Sequence, residues 1–372
     1  MPSLSQRKKV LLLCPYPVGV APGQRLKYEQ YFPYFASRGY DVTVSPFFSR
    51  RAWQILYRKG HIPEKALWVL FGYARRLLDL LRLPAYDGAY VFLHATPFGG
   101  SGFEACVRKL ARRMVYDIDD LVFLPQQSTS NGWISRLRRP GKIHYLMERA
   151  DHVITCTPFL DNYVRERNSR TTDISSTIRT DFYVPTSAYQ NKRPLTIGWS
   201  GSHSTAKYIQ LVAPALQALA ETHDFRLKVI GATGVAIPGV SVECQPWAES
   251  TEVADLAEID VGIYPLPEEK WVLGKSGLKA LQYMALGIPT VATAIGANFR
   301  VIEHARSGFL VRHQEEWRDA LANLLDDANL RRAIGTAARA RVVEHYSVEA
   351  NQARYGQVLD GVFFQGGTKC AR

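Results

Sequence analysis

Short apolar runs alternate with segments of helical spacing along the chain, in two successive series. The strands predicted in these series are Val10–Cys14, Asp41–Pro46, Gly88–Leu93, Met114–Asp117 and His152–Thr155, then Leu195–Trp199, Arg226–Ile230, Val240–Glu243, Val261–Tyr264, Thr290–Thr293 and Gly308–Val311. The predicted helices include Gln24–Arg38, Lys65–Arg82, Ala206–Thr222, Glu249–Ala257, Glu315–Asp326 and Leu330–Glu344. Such alternation is typical of parallel sheets covered by helices on both faces. The predicted fold class is therefore α/β, with two doubly wound, Rossmann-like domains.

The two series meet in a polar stretch with two prolines, Tyr183–Pro194. We assign residues 1–186 to an N-terminal domain, 187–194 to a linker and 195–348 to a C-terminal domain. Residues 349–372 form a C-terminal segment that could pack back on the N-terminal domain. A chain of 372 residues, 47% of them hydrophobic, is long enough to build two cores.

Composition disfavours several other classes of protein. No run approaches 18 apolar residues, so a membrane-spanning helix is not expected. The basic and apolar start is predicted to be a buried strand rather than a signal peptide, because Pro15 and Pro17 interrupt it. The five scattered cysteines lack metal-ligand spacing and are interpreted as reduced core thiols of a cytosolic protein. No Gly-x-Gly-x-x-Gly motif follows either domain's first strand, which disfavours a dehydrogenase.

The stretch Gly274–Val291 carries the most chemical information. It predicts a glycine-bearing loop, one helix, a tight glycine exit and a buried strand. Lys275 and free backbone N–H groups would lie at the helix N-terminus, where the partial positive charge favours an anion. Further along the helix, Gln282 adds a polar group, and Lys279 either does the same or points to water. The pattern suits a phosphorylated ligand with hydroxyl groups, but it also fits an ordinary turn with a solvated lysine.

Taken in order, these segments resemble the retaining glycosyltransferases of family 4, which have the two-domain GT-B fold. The resemblance rests on Pro15–Gly23, Ala150–Thr155, Ile197–Ser202, Asp260–Leu266 and the stretch Gly274–Val291. It implies transfer of a sugar from a nucleotide-sugar donor to a hydroxyl group, in an interdomain cleft. The Gly-Lys loop and the Gln-Tyr-Met-Ala sequence on the helix are similar to those of one branch of the family.

The resemblance implies that the second domain binds the donor. The implied donor-binding residues are Gly201, Ser202, Lys207, Lys275, Ser276, Gly277 and Gln282. Lys275 is also implied to be catalytic, because a cation there would stabilise the departing diphosphate. No metal or other cofactor is implied.

The chain departs from the family pattern at one important place. Many members have two glutamates eight positions apart, where this chain has Gly274 and Gln282. Gln282 can still hydrogen-bond a ribose hydroxyl through its amide, without the charge of a carboxylate. Glu268 or Glu269, in the preceding loop, is the candidate to replace the first glutamate.

In the first domain, Asp119 and Asp120 follow the strand Met114–Asp117. The resemblance implies that one of them positions the acceptor hydroxyl or supports the transition state, and the alternative is a carboxylate that caps the following turn. Gly23, Arg25 and His94 are candidates for the acceptor side of the cleft. Arg25 could instead be a surface arginine, and His94 a structural histidine.

The excess of positive over negative charge lies entirely in the first half of the chain. Residues 1–190 carry 27 Lys and Arg against 15 Asp and Glu, whereas the remainder carries 19 of each. Basic clusters beside the leucine-rich helix Lys65–Arg82 suit an anionic membrane surface. We therefore expect a cytoplasmic protein, peripheral at the inner face of the membrane, with a glycan or lipid-linked saccharide as acceptor. A core helix with a solvated basic edge is the alternative, and nucleic-acid binding is disfavoured because no recognition module accompanies the charge.

Two other functions remain open at this stage. One is a sugar-nucleotide epimerase on the same scaffold. The other is a non-catalytic glycan- or lipid-binding relative of a transferase, which the missing glutamates make conceivable.

Overall fold

A computed structural model describes residues 7–56, 58, 60–124, 141–185 and 194–364. The chain divides into two compact units, Met1–Ser175 with Asn351–Arg372, and Ser176–Ala350. The predicted linker lies outside the described residues, apart from Pro194. Residues 176–185, assigned above to the N-terminal domain, cluster with the second unit because Ile178 and Tyr183 are buried in its core.

The first unit contains a six-stranded sheet in which all pairings are parallel. Its order is β2-β1-β3-β4-β5-β6, with β1 (Lys8–Cys14), β2 (Tyr40–Pro46), β3 (Gly88–Phe92), β4 (Met114–Asp117), β5 (His152–Thr155) and β6 (Thr171–Asp173). Strands β3 and β4 are fully buried, which explains their continuous apolar runs. Strand β6 was not predicted, because its sequence contains no apolar residue.

Seven helices of the first unit precede the second unit in the described chain. They are α1 (Pro22–Arg25), α2 (Phe32–Ser37), α3 (Arg50–Leu56), α4 (Ile62–Arg82), α5 (Gly102–Leu110), α6 (Gly141–Arg149) and α7 (Pro158–Arg165). Helix α4 confirms the helix predicted at Lys65–Arg82. The single helix predicted at Gln24–Arg38 is wrong, since Pro33 lacks an N–H group and lies in the first turn of a new helix, α2. Cys14 and Cys156 are buried as expected, whereas Cys106 is exposed on α5.

The second unit contains another six-stranded parallel sheet, in the order β12-β11-β10-β7-β8-β9. Its strands are β7 (Leu195–Ser200), β8 (Phe225–Ile230), β9 (Ser241–Gln245), β10 (Val261–Tyr264), β11 (Thr290–Thr293) and β12 (Phe309–Val311). Its helices are α8 (His203–Ala206), α9 (Ala213–Ala220), α10 (Glu252–Ala257), α11 (Leu278–Ala285), α12 (Asn298–Val301), α13 (Gln314–Asp326) and α14 (Ala328–Arg341). The single helix predicted at Ala206–Thr222 is also wrong, because Pro214 lies in the first turn of α9.

The last helix, α15 (Val348–Phe363), contributes its residues from Asn351 onwards to the first unit. Tyr355 is fully buried, with its ring centroid 4.4 Å from that of Tyr31. Asp360 accepts a hydrogen bond of 2.7 Å from the Tyr40 hydroxyl and forms an ion pair with Arg38. The first unit is therefore built from two separate parts of the chain.

Candidate functional site

The second unit has a point in its sheet where the direction of chain progression reverses. The chain runs from β7 to β8 and β9 on one side and then returns to β10 on the other side of β7. In doubly wound sheets the carboxyl ends of the two strands at such a point flank a ligand-binding crevice. The residues that follow these ends are Gly201 and Ser202 after β7, and Pro265 and Leu266 after β10.

Lys279, in the first turn of α11, points to this place rather than to bulk water. Its Nζ lies 4.4 Å from the ring centroid of Trp199 on β7 and 5.9 Å from that of Tyr264 on β10. A Cβ atom on Gly201 would lie 2.3 Å from the same Nζ, so the glycine leaves room for the ammonium group. Burial and the positive charge of Lys275 lower the pKa of Lys279 to about 7. No carboxylate in the described part of the chain pairs with Lys279, so an anionic ligand would be its natural partner.

Lys207 and Lys275 approach each other through a pair of aromatic rings. The Lys275 Nζ lies 5.5 Å from the ring centroid of Trp271, and the Lys207 Nζ lies 5.2 Å from that of Tyr208. The two rings contact each other, with centroids 5.7 Å apart. Aromatic faces attract cations, so each ring holds one of the two ammonium groups beside the other ring. The structure therefore brings together Lys207, Lys275 and, through its coupling to Lys275, Lys279.

The loop before α11 is held by its own contacts. The Ser276 hydroxyl is buried and lies 2.8 Å from the Ser176 hydroxyl. Gly277 precedes the helix with φ of 78°, a left-handed conformation that other residues rarely adopt. The first N–H groups of a helix have no acceptor within the helix, so this end of α11 offers backbone donors beside the lysines.

Gln282 belongs to a buried network centred on a carboxylate that the sequence analysis missed. Its Nε2 donates to the Glu252 Oε1 over 3.2 Å and to the Tyr183 hydroxyl over 3.1 Å. Glu252 also accepts from the Tyr183 hydroxyl over 2.8 Å and from the Trp247 Nε1 over 3.0 Å. Both amide hydrogens of Gln282 are thus engaged, which leaves its carbonyl oxygen as the group that can meet a ligand hydroxyl. In sequence, Glu252 resembles an ordinary acid in the first turn of a helix.

The two glutamates considered as replacements for Gly274 have other contacts. The Glu268 side chain is largely exposed, with its Oε1 3.7 Å from the Arg312 guanidinium. Glu269 accepts a hydrogen bond from the Trp271 Nε1 over 2.5 Å. Glu269 therefore touches the aromatic pair beside Lys275, and Glu268 points to a different cation.

The first unit brings two of the predicted acceptor-side residues together. A Cβ atom on Gly23 would lie 2.5 Å from the Asp119 Oδ2, so this carboxylate packs against the glycine backbone. Asp120 accepts a hydrogen bond of 2.8 Å from the N–H of Leu121, as the turn-capping alternative predicts. The neighbouring Asp117 is fully buried and pairs at 2.9 Å with Lys27, a structural ion pair.

Arg25 and His94 lie near the carboxyl edge of the same sheet. Arg25 is half-buried at the end of α1, and His94 is half-buried just after β3. Leu93, between β3 and His94, has φ of 59°, a strained conformation for a leucine. Strain of this kind clusters where surrounding structure fixes a functional or tightly packed turn. Arg25 and His94 share this edge of the sheet with Asp119, which follows the neighbouring strand β4.

The architecture defines a class: two Rossmann-like parallel sheets, as in glycosyltransferases of the GT-B fold, which confirms the predicted fold class. Residues 194–327 match the family model described as glycosyl transferases group 1. That match covers β7 to α13, including Lys207, Lys275, Lys279 and Gln282.

Individual relatives agree with this class. A D-inositol 3-phosphate glycosyltransferase of Paenarthrobacter aurescens is 34% identical over 139 residues, which are 35% of this chain and 31% of the relative. The match thus spans about a third of that relative's length. Among solved structures, sucrose-phosphate synthase from Thermosynechococcus elongatus has a TM-score of 0.70 at 17% identity, covering 95% of this chain and 99% of the other. Anabaena HepE in complex with UDP-glucose has a TM-score of 0.64 at 16% identity, with 95% and 100% coverage.

Proposed function

We propose that this protein is a glycosyltransferase that moves a sugar from a nucleotide-sugar donor to a hydroxyl group of a glycan or a lipid-linked saccharide. The observation that carries the proposal is Lys279, a half-buried cation at the switch point of the second sheet that pairs with no carboxylate among the described residues. Lys275 and Lys207 add positive charge nearby, and the match to glycosyl transferases group 1 covers the same residues. The UDP-glucose complex of HepE supports a nucleotide sugar as donor.

The proposed chemistry places the leaving group on these lysines. During transfer, the bond between the anomeric carbon and the diphosphate oxygen breaks, and its electron pair leaves with the nucleoside diphosphate. Cations and backbone N–H groups fixed at that position stabilise the developing charge, which typically contributes several kcal/mol per well-aimed donor. We propose retention of the anomeric configuration because the residues resemble a retaining family. The first unit, with Gly23 and Asp119, is proposed to bind the acceptor.

The carbonyl oxygen of Gln282 is proposed to accept a hydrogen bond from a ribose hydroxyl of the donor. Gln282 lies one turn beyond Lys279 on α11, and the Glu252 network orients its amide. A glutamine held in this way offers an acceptor where many family 4 members would offer a carboxylate. The proposed contact to the ribose hydroxyl is therefore made by a neutral amide oxygen instead of a charged carboxylate oxygen.

An anionic membrane surface is the partner that we propose for the first unit. Helix α4 leaves seven large apolar side chains 50% to 80% exposed, namely Ile62, Leu67, Leu70, Phe71, Leu77, Leu78 and Leu81. Its buried residues are Gly72, Arg76 and Asp79, so an ion pair lies on the inward face of the helix while these seven apolar side chains face outward. Exposed Arg75 and Arg82 lie on the same helix, and its acids are the N-terminal Glu64 and the buried Asp79.

This pattern suits a helix that lies in the plane of a membrane, with leucines in the apolar layer and arginines among anionic headgroups. In the described ranges, no helix has the length and apolar character needed to cross a membrane. A groove of about 650 Å³ beside α4, lined by Trp68, Phe71, Leu78 and Arg75 among others, could receive part of a lipid. We therefore propose a peripheral location at the inner face of the cytoplasmic membrane and a lipid-linked acceptor.

A thermal-shift screen over nucleoside diphosphates and nucleotide sugars tests the proposed function. We expect a stabilising donor, followed by release of its diphosphate only when an acceptor saccharide is added. Isomerised donor without acceptor would indicate an epimerase. A chain that binds no nucleotide at all would instead be a non-catalytic relative.

A further inference from the structure

Apart from the groove beside α4, the first unit contains a basic cavity. It lies at the edge of the sheet opposite Asp119 and Gly23. It has a volume of about 380 Å³. Its walls are the amino ends of β4, β5 and β6 and one face of α15. Because Asp119 follows the carboxyl end of β4 whereas Arg113 precedes its amino end, the cavity is separate from the proposed acceptor residues.

Among the described residues, three arginines and one carboxylate line this cavity. Arg113 and Arg170 come from the strand side, and Arg354 comes from α15. The carboxylate is Asp151, which already accepts a hydrogen bond of 2.8 Å from the Met114 N–H. It also lies 3.6 Å from Arg113 and 3.5 Å from Arg108, so two guanidinium groups share its charge. The cavity is therefore positively charged, and among the described residues no acid pairs with Arg170 or Arg354.

A neutral histidine lies in the strand-side wall. The His152 Nε2 is 2.9 Å from the Thr172 hydroxyl. Burial and the nearby Arg170 lower the pKa of His152 to about 4, so the ring is uncharged at neutral pH. An uncharged ring can hydrogen-bond a ligand without adding to the repulsion among the arginines.

The helical wall keeps the cavity open. Arg354, Gln357 and Gly361 follow one another at helical spacing on one face of α15, and Val358 and Val362 form a buried apolar floor. A Cβ atom at Gly361 would meet no atom within 4 Å, so nothing fills the space beside it. The cavity thus combines guanidinium groups, a neutral hydrogen-bonding ring and an apolar floor.

We propose that this cavity binds a small phosphate-bearing molecule, held by Arg113, Arg170 and Arg354 between the sheet edge and the C-terminal helix. Guanidinium groups match phosphate oxygens in bidentate pairs, and three of them suit a diphosphate or a phosphate ester. The volume exceeds that of a lone phosphate, which leaves room for an attached organic group. A ligand here would link the two separate parts of the chain that form the first unit.

Titration calorimetry with inorganic pyrophosphate at constant ionic strength tests this proposal. The full-length chain carries Lys207→Gln, Lys275→Gln and Lys279→Gln in all samples, so that the lysine site of the second unit does not contribute. We expect one remaining site, weakened roughly tenfold for each arginine replaced in Arg170→Gln/Arg354→Gln. Lys109→Gln/Arg332→Gln, which removes two exposed charges elsewhere, is the matched control and should bind as before.

A second variant distinguishes loss of binding from loss of folding. Gly361→Glu introduces a better helix former at an open helical position and directs a carboxylate towards the arginines. It should fold normally and lose pyrophosphate binding. Unchanged affinity in both Gly361→Glu and Arg170→Gln/Arg354→Gln, or equal loss in the control, would overturn the proposal. Binding of pyrophosphate but of no sugar phosphate would reduce the cavity to an inorganic anion site.

Discussion

At the scale of single residues, the most informative side chain is Lys279, whose direction depends on residues far away in the sequence. Trp199 precedes it by eighty positions and Tyr264 by fifteen, yet their rings flank its ammonium group. The motif located the loop and the helix, but local spacing alone allowed Lys279 to point either to water or to the site. Glu252 escaped sequence analysis for the same reason, because its partners Tyr183 and Gln282 come from other elements.

Replacing Lys279 by methionine should impair catalysis while the fold stays intact. Methionine keeps most of the side-chain volume against Trp199 and removes the charge. Loss of one preorganised cation at the departing diphosphate should lower kcat/KM by roughly 100-fold. Steady-state kinetics with the donor found in the screen measures this, with Lys109→Met as the control for an exposed lysine. Equal kinetics in the two variants would remove Lys279 from the site.

The affinity for a nucleoside diphosphate should depend on pH through Lys279. Its pKa is lowered to about 7 by burial and by Lys275, so the free protein loses this charge as the pH rises above that value. A bound diphosphate favours the charged form, so binding above about pH 7 takes up a proton and weakens with pH, by at most about tenfold per unit. Calorimetry with UDP from about pH 6 to about pH 9 should show this decline. Lys279→Met should bind more weakly and with a flatter profile; an equally steep profile would assign the proton to another group.

At the scale of elements, apolar runs identified most strands, whereas prolines decided which helices were continuous. Strands such as β3 and β11 are buried on both faces, so their sequences carry the signal by themselves. Helical spacing at Gln24–Arg38 and Ala206–Thr222 ran through Pro33 and Pro214, and in both cases a new helix begins one residue before the proline. For α4 the sequence predicted the helix and left two orientations open, towards a membrane or towards the core, because a broad leucine face normally points to the core.

The buried ion pair between Arg76 and Asp79, on the inward face of α4, should be important for stability. Arg76 donates to the carbonyl oxygens of Ala95 and Cys14 over 2.6 and 2.9 Å, and pairs with Asp79 at 2.8 Å. Arg76→Met leaves the buried Asp79 carboxylate without its counter-charge and several carbonyl groups without their donor, which should cost about 3–5 kcal/mol. Urea unfolding measures this loss. Arg76→Met/Asp79→Leu should recover part of it, and a double variant no more stable than the single one would contradict the role of the ion pair.

The outward face of α4 should bind anionic lipid without contributing to folding. Leu70 and Leu81 are 66% and 80% exposed, so Leu70→Gln/Leu81→Gln should change the free energy of unfolding by less than about 1 kcal/mol. The same variant should lose most of its binding to vesicles that contain anionic lipid, as measured by flotation. Leu110→Gln/Val343→Gln replaces exposed apolar residues elsewhere and should float as the unchanged protein does. Equal flotation of all three proteins would show that the outward face of α4 does not bind the membrane.

At the scale of the whole molecule, the two units differ in how the chain builds them. The second unit is one continuous segment, Ser176–Ala350, with its own sheet and two clusters of buried apolar residues. The first unit needs α15, which returns after the second unit is complete. Alternating apolar runs predicted both sheets, but the discontinuity depends on contacts such as Tyr31 with Tyr355, which are far apart in sequence.

This difference predicts unequal behaviour of fragments. A fragment of residues 176–350 should unfold cooperatively and bind the donor nucleotide, because its core and the proposed donor residues are all present. A fragment of residues 1–175 should lack cooperative unfolding, because Tyr31, Arg38 and Tyr40 lose their partners Tyr355 and Asp360. Adding a peptide of residues 351–372 should restore a cooperative transition, followed by near-ultraviolet circular dichroism. Cooperative unfolding of residues 1–175 alone, unchanged by the peptide, would show that the first unit folds without α15.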